Sequence, residues 1–178
     1  HHGVFDMAAF GAVPGLTIAA PMNEPELRNM MYTALGSGHP FMIRYPRGHG
    51  EGLPWRGEKF ETLPVGRGRR LREGADVALL TVGTVGNAAA RAAGRAAAEG
   101  VSVAHYDLRF VKPLDEALLD EVGRKFRRVV TVEDGSLRGG VGEAVAAFFN
   151  GRGYDVRVQR LGIGDEWVEH GTPGQLYA

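Results

Sequence analysis

The 178-residue chain contains no cysteine, carries no net charge and has no long apolar run. Without cysteine there can be neither a disulfide scaffold nor a thiolate metal site. Its 21 basic residues are matched by 21 acidic ones, so it lacks the basic excess that marks a nucleic-acid binder. No stretch approaches the ~20 apolar residues that cross a bilayer, and no secretory leader is expected. A cytoplasmic protein is expected, with neither nucleic acid nor membrane as partner. The histidines His1, His2, His39, His49, His105 and His170 include no pair at helical ligand spacing, and no metal site is expected. A Gly-x-Ser-x-Gly elbow and a P-loop are also missing, which excludes serine-hydrolase and P-loop chemistry.

Glycine and alanine are abundant, as suits tight turns and close-packed helices. Residues Leu16 to Ala20 read as a short buried strand ended by Pro21. Asn23 is placed to cap a helix, with Glu26 as its capping-box partner. Leu27, Met30, Met31, Ala34 and Leu35 recur at helical spacing, and Phe41 to Tyr45 read as a second strand. Such a strand–helix–strand unit requires parallel strands. From Gly48 to about Glu73 the composition turns to Gly, Pro, Trp and mixed charge, the mark of a linker, with one short strand expected near Leu63 to Gly66. The arginines from Arg67 to Arg72 read as a solvated charged face.

A more regular block follows. Strands are expected at 76–82, 101–107, 129–132 and 156–161. Between them come an alanine-rich helix from Asn87 to Glu99 closed by Gly100, a helix opened by Pro113 and running through Val122, and a third from Glu143 to Phe149. Strand–helix alternation of this kind predicts an α/β fold with a mostly parallel, helix-covered sheet.

Four features could carry chemistry. In open parallel sheets, ligands gather at the carboxyl ends of strands. Arg44-Tyr45-Pro46-Arg47-Gly48 lies at such an end, and Pro46 stiffens the exit from the sheet. Arg47 is thereby presented on a turn, where its fork matches two phosphate oxygens; the alternative is that Arg44 or Arg47 pairs with a nearby carboxylate. Gly139-Gly140-Val141-Gly142 could cradle a phosphate, but Val145 occupies the place of the third fingerprint glycine, and close helix packing is the favoured reading. Glu133-Asp134 ends a strand, suiting either acid–base work or a cap on the next helix. His105 reads as a core residue and His170 as a loop residue.

The pieces HHGVFD, VPGLTIAAPMNEPELRNMMYTAL and MIRYPRG, followed by YDLRFVKPLDEALL, VVTVEDGSLRGGVGEAV and IGDEWVEHGTPGQLY, occur in one order and spacing. Together they resemble the C-terminal portion of the 1-deoxy-D-xylulose-5-phosphate synthases, thiamine-diphosphate enzymes of the transketolase-like superfamily. The resemblance implies a partial pyrimidine-binding domain with a parallel sheet over residues 1–55. It continues with a linker over 56–73 and a transketolase C-terminal-like domain with a mixed, mainly parallel sheet over 74–178, truncated at its end. It implies a transferase that condenses pyruvate with D-glyceraldehyde 3-phosphate to 1-deoxy-D-xylulose 5-phosphate and carbon dioxide, opening isoprenoid synthesis and feeding thiamine and pyridoxal synthesis. Thiamine diphosphate and magnesium are the implied cofactors, and a homodimer the implied assembly.

By the same resemblance, His1 matches the catalytic histidine of the family's Thr-His-x-Gly motif, although the preceding threonine and aspartate are absent here. Continuation into Gly-Val-Phe-Asp displaces the reading of His1-His2 as a purification tag. Arg47 matches the arginine that binds the phosphate of glyceraldehyde 3-phosphate, while Arg44 and Tyr45 are expected to shape the turn. The magnesium–diphosphate run and the glutamate that activates the aminopyrimidine are missing; both are expected upstream of His1, in the rest of its own polypeptide. This segment alone is expected to be inactive. The rival readings are a transketolase or a 2-oxoacid dehydrogenase E1 β-type subunit, neither expected to carry Arg-Tyr-Pro-Arg-Gly. From another class, the rival is a non-catalytic dimerisation or assembly domain.

Overall fold

The computed structural model describes residues 3–176. After a single turn at Gly3–Phe5 and a short helix α1 (Asp6–Gly11), the chain forms β1 (Thr17–Ala19), α2 (Glu24–Gly36) and β2 (Phe41–Ile43). β1 and β2 are parallel, with Thr17 opposite Phe41 and Ala19 opposite Ile43. Asn23 caps α2 as expected, its side chain accepting from the Glu26 N–H at 3.1 Å. The reciprocal half of the capping box does not form, because the Glu26 carboxylate is engaged by Arg109 and Arg69 instead.

The buried face of α2 also differs from the expected apolar one. Met30 is buried, but its companions there are Glu26, Asn29 and Thr33, while Met31 and Leu35 face outward. The cause is the stretch that follows β2, which lies along this helix and brings unpaired backbone groups with it. Asn29 Oδ1 accepts from the Glu61 N–H, and Thr33 Oγ1 accepts from the Leu63 N–H at 2.8 Å. Arg28 donates to the carbonyls of Glu58 and Lys59. Backbone groups buried against a helix must find partners, and polar residues on α2 supply them.

The second sheet has five strands: β3 (Arg69–Arg72), β4 (Val77–Val82), β5 (Val103–Asp107), β7 (Arg128–Ser136) and β8 (Arg157–Ile163). Their order is β3-β5-β4-β7-β8. β3 runs antiparallel to β5, and the other pairings are parallel. The strand expected near Leu63 thus forms later, at Arg69–Arg72. One face of the sheet packs on α4 (Glu116–Lys125) and α5 (Val141–Gly151), burying Leu80, Tyr106, Leu119, Phe126, Val145 and Phe149. On the other face α3 (Val85–Ala98) sets Ala89 and Ala93 against Leu79 and Val103. Gly100 ends that helix at φ 85°, the left-handed conformation anticipated for it. Helix α4 starts later than Pro113, because Asp115 is its cap, accepting from the Leu118 N–H; a carboxylate at the N-cap outweighs proline's preference for the first turn.

Pro113 instead closes β6 (Phe110–Lys112), a strand without a counterpart in the sequence reading. β6 pairs antiparallel with β1, so the smaller sheet, ordered β2-β1-β6, is mixed and draws a strand from the later block. Phe110 is fully buried with Ala19, Met30 and Leu63. Burying a phenylalanine contributes roughly 1.5–3 kcal/mol, against about 1 kcal/mol net for a hydrogen bond. Packing of Phe110 therefore decides the position of so short a strand.

His105 is buried in the larger sheet and hydrogen-bonded to Thr81 Oγ1 at 2.8 Å. Burial, aided by the charge of Arg69, holds its pKa down to about 4. The unfolded chain takes up this proton near pH 6.5, so acidification through that interval favours unfolding. Asp107 works in the opposite sense, since its raised pKa lets the folded state bind the extra proton; its effect cancels between two proteins that both contain it. Between pH 7 and 4, a His105→Gln variant should gain about 3 kcal/mol relative to wild type. Urea unfolding at the two pH values measures this, and a constant gap would refute it.

Candidate active site

β2 ends at Ile43, although the Arg44 N–H still donates to the Ala19 carbonyl at 2.8 Å. Pro46 has no N–H to continue the ladder, and the chain turns out of the sheet. The two arginines of this turn part company. Arg44 folds back into the protein: its Nη1 lies 2.9 Å from Asp134 Oδ2, its Nη2 donates to the Asp134 carbonyl at 2.7 Å, and its Nε lies 3.6 Å from Asp6 Oδ2. Only 9% of the Arg44 side chain is exposed. Arg47 is exposed, and among the described residues it has no hydrogen bond or ion pair. The carboxylate pairing weighed for either arginine thus belongs to Arg44.

The chain beyond Arg47 is held as well. Glu24 Oε1, at the start of α2, accepts from the Gly52 N–H at 2.7 Å. Glu24's own N–H, followed by this donor, holds its carboxyl below the usual range. Gly50 lies so close that any side chain there would overlap the Glu24 carboxylate. An exposed cation is therefore carried on a turn tied down at both ends. His1, the expected catalytic residue, and His2 lie outside the described residues.

The glycine-rich turn before α5 offers no anion site, because an internal anion fills it. Glu133 Oε2 accepts from the Val141 N–H and Oε1 from the Gly142 N–H, both at 2.8 Å. Burial raises the Glu133 pKa, while these two donors oppose the rise. A side chain at Gly142 would meet Thr131 Oγ1 at 2.5 Å, so the glycines serve close packing. Strand alternation sends neighbouring side chains to opposite sides: Glu133 caps α5 while Asp134 reaches Arg44.

The arginine cluster at 67–72 is divided: Arg67 and Arg70 stay exposed, as a solvated face requires, though each also meets a carboxylate, and Arg69 turns inward. Arg67 meets Asp115 at 3.0 Å and Arg70 meets Glu73 and Glu121. Arg69 lies 3.1 Å from both Asp107 and Glu26, and Arg109 lies 2.7 Å from Glu26. This half-buried quartet joins α2 to β3 and β5. Burial, with Glu26 nearby, pushes the Asp107 pKa up to about 7. His49 and His170 are exposed.

Among the described residues no group of three His, Asp or Glu side chains could hold a metal ion. With the α5 turn also filled, these residues do not form a diphosphate–magnesium site. The sequence reading missed Asp6 and Glu24 as supports of the turn. Asp134 it had noticed, as a strand-end carboxylate, without its partner.

Comparison with known proteins gives a consistent pattern. Residues 1–51 match the family model of the transketolase pyrimidine binding domain, and residues 66–178 that of the transketolase C-terminal domain. Proteins named 1-deoxy-D-xylulose-5-phosphate synthase from Bacteroides fragilis and Bacteroides thetaiotaomicron are each 54% identical over 99% of this chain. One of the same name from Symbiobacterium thermophilum is 45% identical over 98%. The chain spans only 28%, 28% and 27% of the lengths of these relatives. Among solved structures, a split-gene transketolase described as an inactive β4 tetramer superposes with a TM-score of 0.79 at 29% identity. That match covers 91% of this chain and 53% of the other.

Proposed function

Because the chain belongs to the transketolase family, we propose that it forms part of a synthase condensing pyruvate with D-glyceraldehyde 3-phosphate to 1-deoxy-D-xylulose 5-phosphate and carbon dioxide. The observation that carries this reading is Arg47, exposed and without a partner among the described residues, while Arg44 beside it is taken up by carboxylates. A guanidinium left free on a fixed turn suits a phosphorylated acceptor, since its paired donors match phosphate oxygens. The names of the relatives agree with this substrate class.

In this reading Arg47 binds and orients the acceptor through its phosphate, and His1 moves a proton at the reacting oxygens, as an imidazole titrating near neutrality can. Thiamine diphosphate, with magnesium, would supply the electron sink for decarboxylation when bound; residues outside those described would hold both. We assign the protein to the cytoplasm and to a homodimer. The exposed apolar side chains of Met31, Tyr32, Leu35 and Phe60 are in keeping with a covering partner, either the second subunit or the rest of its polypeptide. No helix among the described residues is long and apolar enough to cross a membrane.

The test is an assay of the full-length protein. Pyruvate and D-glyceraldehyde 3-phosphate should yield carbon dioxide and a deoxyketose phosphate. Transfer of a two-carbon ketol unit from xylulose 5-phosphate, with no decarboxylation of pyruvate, would instead identify a transketolase and end the proposal.

A further inference from the structure

We propose that Asp134 is a positioning residue for the acceptor phosphate, acting through Arg44 to aim Arg47. The inference rests on the reading of Arg47 given above and extends it to the C-terminal unit, which on the family resemblance supplies only fold and dimer contacts.

Asp134 holds Arg44 twice, through Oδ2 at 2.9 Å and through its main-chain carbonyl at 2.7 Å. Both partners are largely enclosed, with 14% of the Asp134 side chain and 9% of the Arg44 side chain exposed. Enclosed in this way, the pair is screened by solvent far less than a surface ion pair. Asp134 is itself immobilised. Its neighbour Glu133 is fixed by two N–H donors of α5, and on the other side Gly135 packs so tightly that a Cβ there would meet Met7 Cε at 2.7 Å. Asp6, which follows the His1 motif closely in sequence, adds a second carboxylate to Arg44. Arg44 therefore joins β7, the segment after the histidine motif and the end of β2.

Only Tyr45 and Pro46 separate Arg44 from Arg47, and proline fixes one of the intervening backbone torsions. On the far side the Glu24 clamp on Gly52 restrains the remainder of the turn. With Arg44 anchored, the Arg47 backbone has little freedom left to lose. Ordering a mobile loop on binding costs conformational entropy, and a turn already fixed avoids part of that cost. Loss of the anchor should then weaken recognition of the phosphate and leave the rest of the acceptor untouched.

The experiment uses the full-length enzyme with two acceptors, D-glyceraldehyde 3-phosphate and D-glyceraldehyde. Asp134→Ala should raise KM for the phosphorylated acceptor about three- to tenfold. KM for pyruvate and for D-glyceraldehyde should stay within about twofold, and combining Asp134→Ala with Arg47→Ala should add nothing to Arg47→Ala alone. Asp134→Asn keeps a side-chain acceptor for Arg44 and should restore part of the loss. Should the alanine variant fail to fold, Asp134→Asn carries the same comparison, with a smaller increase confined to the phosphorylated acceptor. Equal losses with both acceptors, a fall in kcat alone, or no change in folded protein would overturn the proposal. If Arg47→Ala itself shows no preference for the phosphorylated acceptor, the reading of Arg47 falls first. If Arg47→Ala shows that preference and Asp134 variants do not, only the positioning role is lost.

Discussion

Replacing Arg47 with alanine in the full-length enzyme is expected to raise KM for D-glyceraldehyde 3-phosphate on the order of ten- to a hundred-fold, with KM for pyruvate unchanged. A charge-assisted contact to phosphate is worth about 1.5–3 kcal/mol, and each 1.4 kcal/mol is a factor of ten. Arg47 is exposed and has no partner among the described residues, so its removal strands no buried carboxylate. The melting temperature should therefore stay near that of wild type, which separates lost recognition from lost fold. Arg47→Lys should recover part of the affinity, because lysine keeps the charge and loses the paired donors. Steady-state kinetics against each substrate in turn decides the matter; equal losses for both would remove Arg47 from the acceptor site.

The second large effect is expected at His1. His1→Ala should lower turnover by about 10²- to 10⁴-fold, the usual worth of a positioned general acid or base. Cofactor affinity should change little, because this role concerns protons rather than the diphosphate. Calorimetric titration with thiamine diphosphate, beside the rate of carbon dioxide release, distinguishes the two contributions. Turnover at the wild-type rate would return His1 to a structural role.

Much of the fold was legible because its signals are local. The β1–α2–β2 unit followed from two short apolar runs around a capped helix, and its parallel pairing follows from the connection. Strands β4, β5, β7 and β8 announced themselves by apolar runs separated by helices. Three features were hidden for a shared reason. β6 is too short to show a period, and Phe110 acquires its meaning only against Met30 and Leu63. The polar buried face of α2 exists to satisfy the backbone of a segment about thirty residues later in the chain. Arg69 turns inward from an otherwise exposed arginine run because its carboxylates, Glu26 and Asp107, lie far away in sequence.

The turn that carries Arg44 and Arg47 divides along the same line. Sequence alone determined that the chain leaves the sheet at Pro46, that Asn23 caps α2, and that two arginines flank the exit. Each of these depends on a residue's own backbone preferences and its nearest neighbours. Which arginine is free was decided only in three dimensions. A guanidinium is neutralised by whatever carboxylates folding brings within about 4 Å; of the two that take Arg44, the nearer, Asp134, lies ninety positions away. Arg47 is left unpaired because no carboxylate among the described residues reaches it.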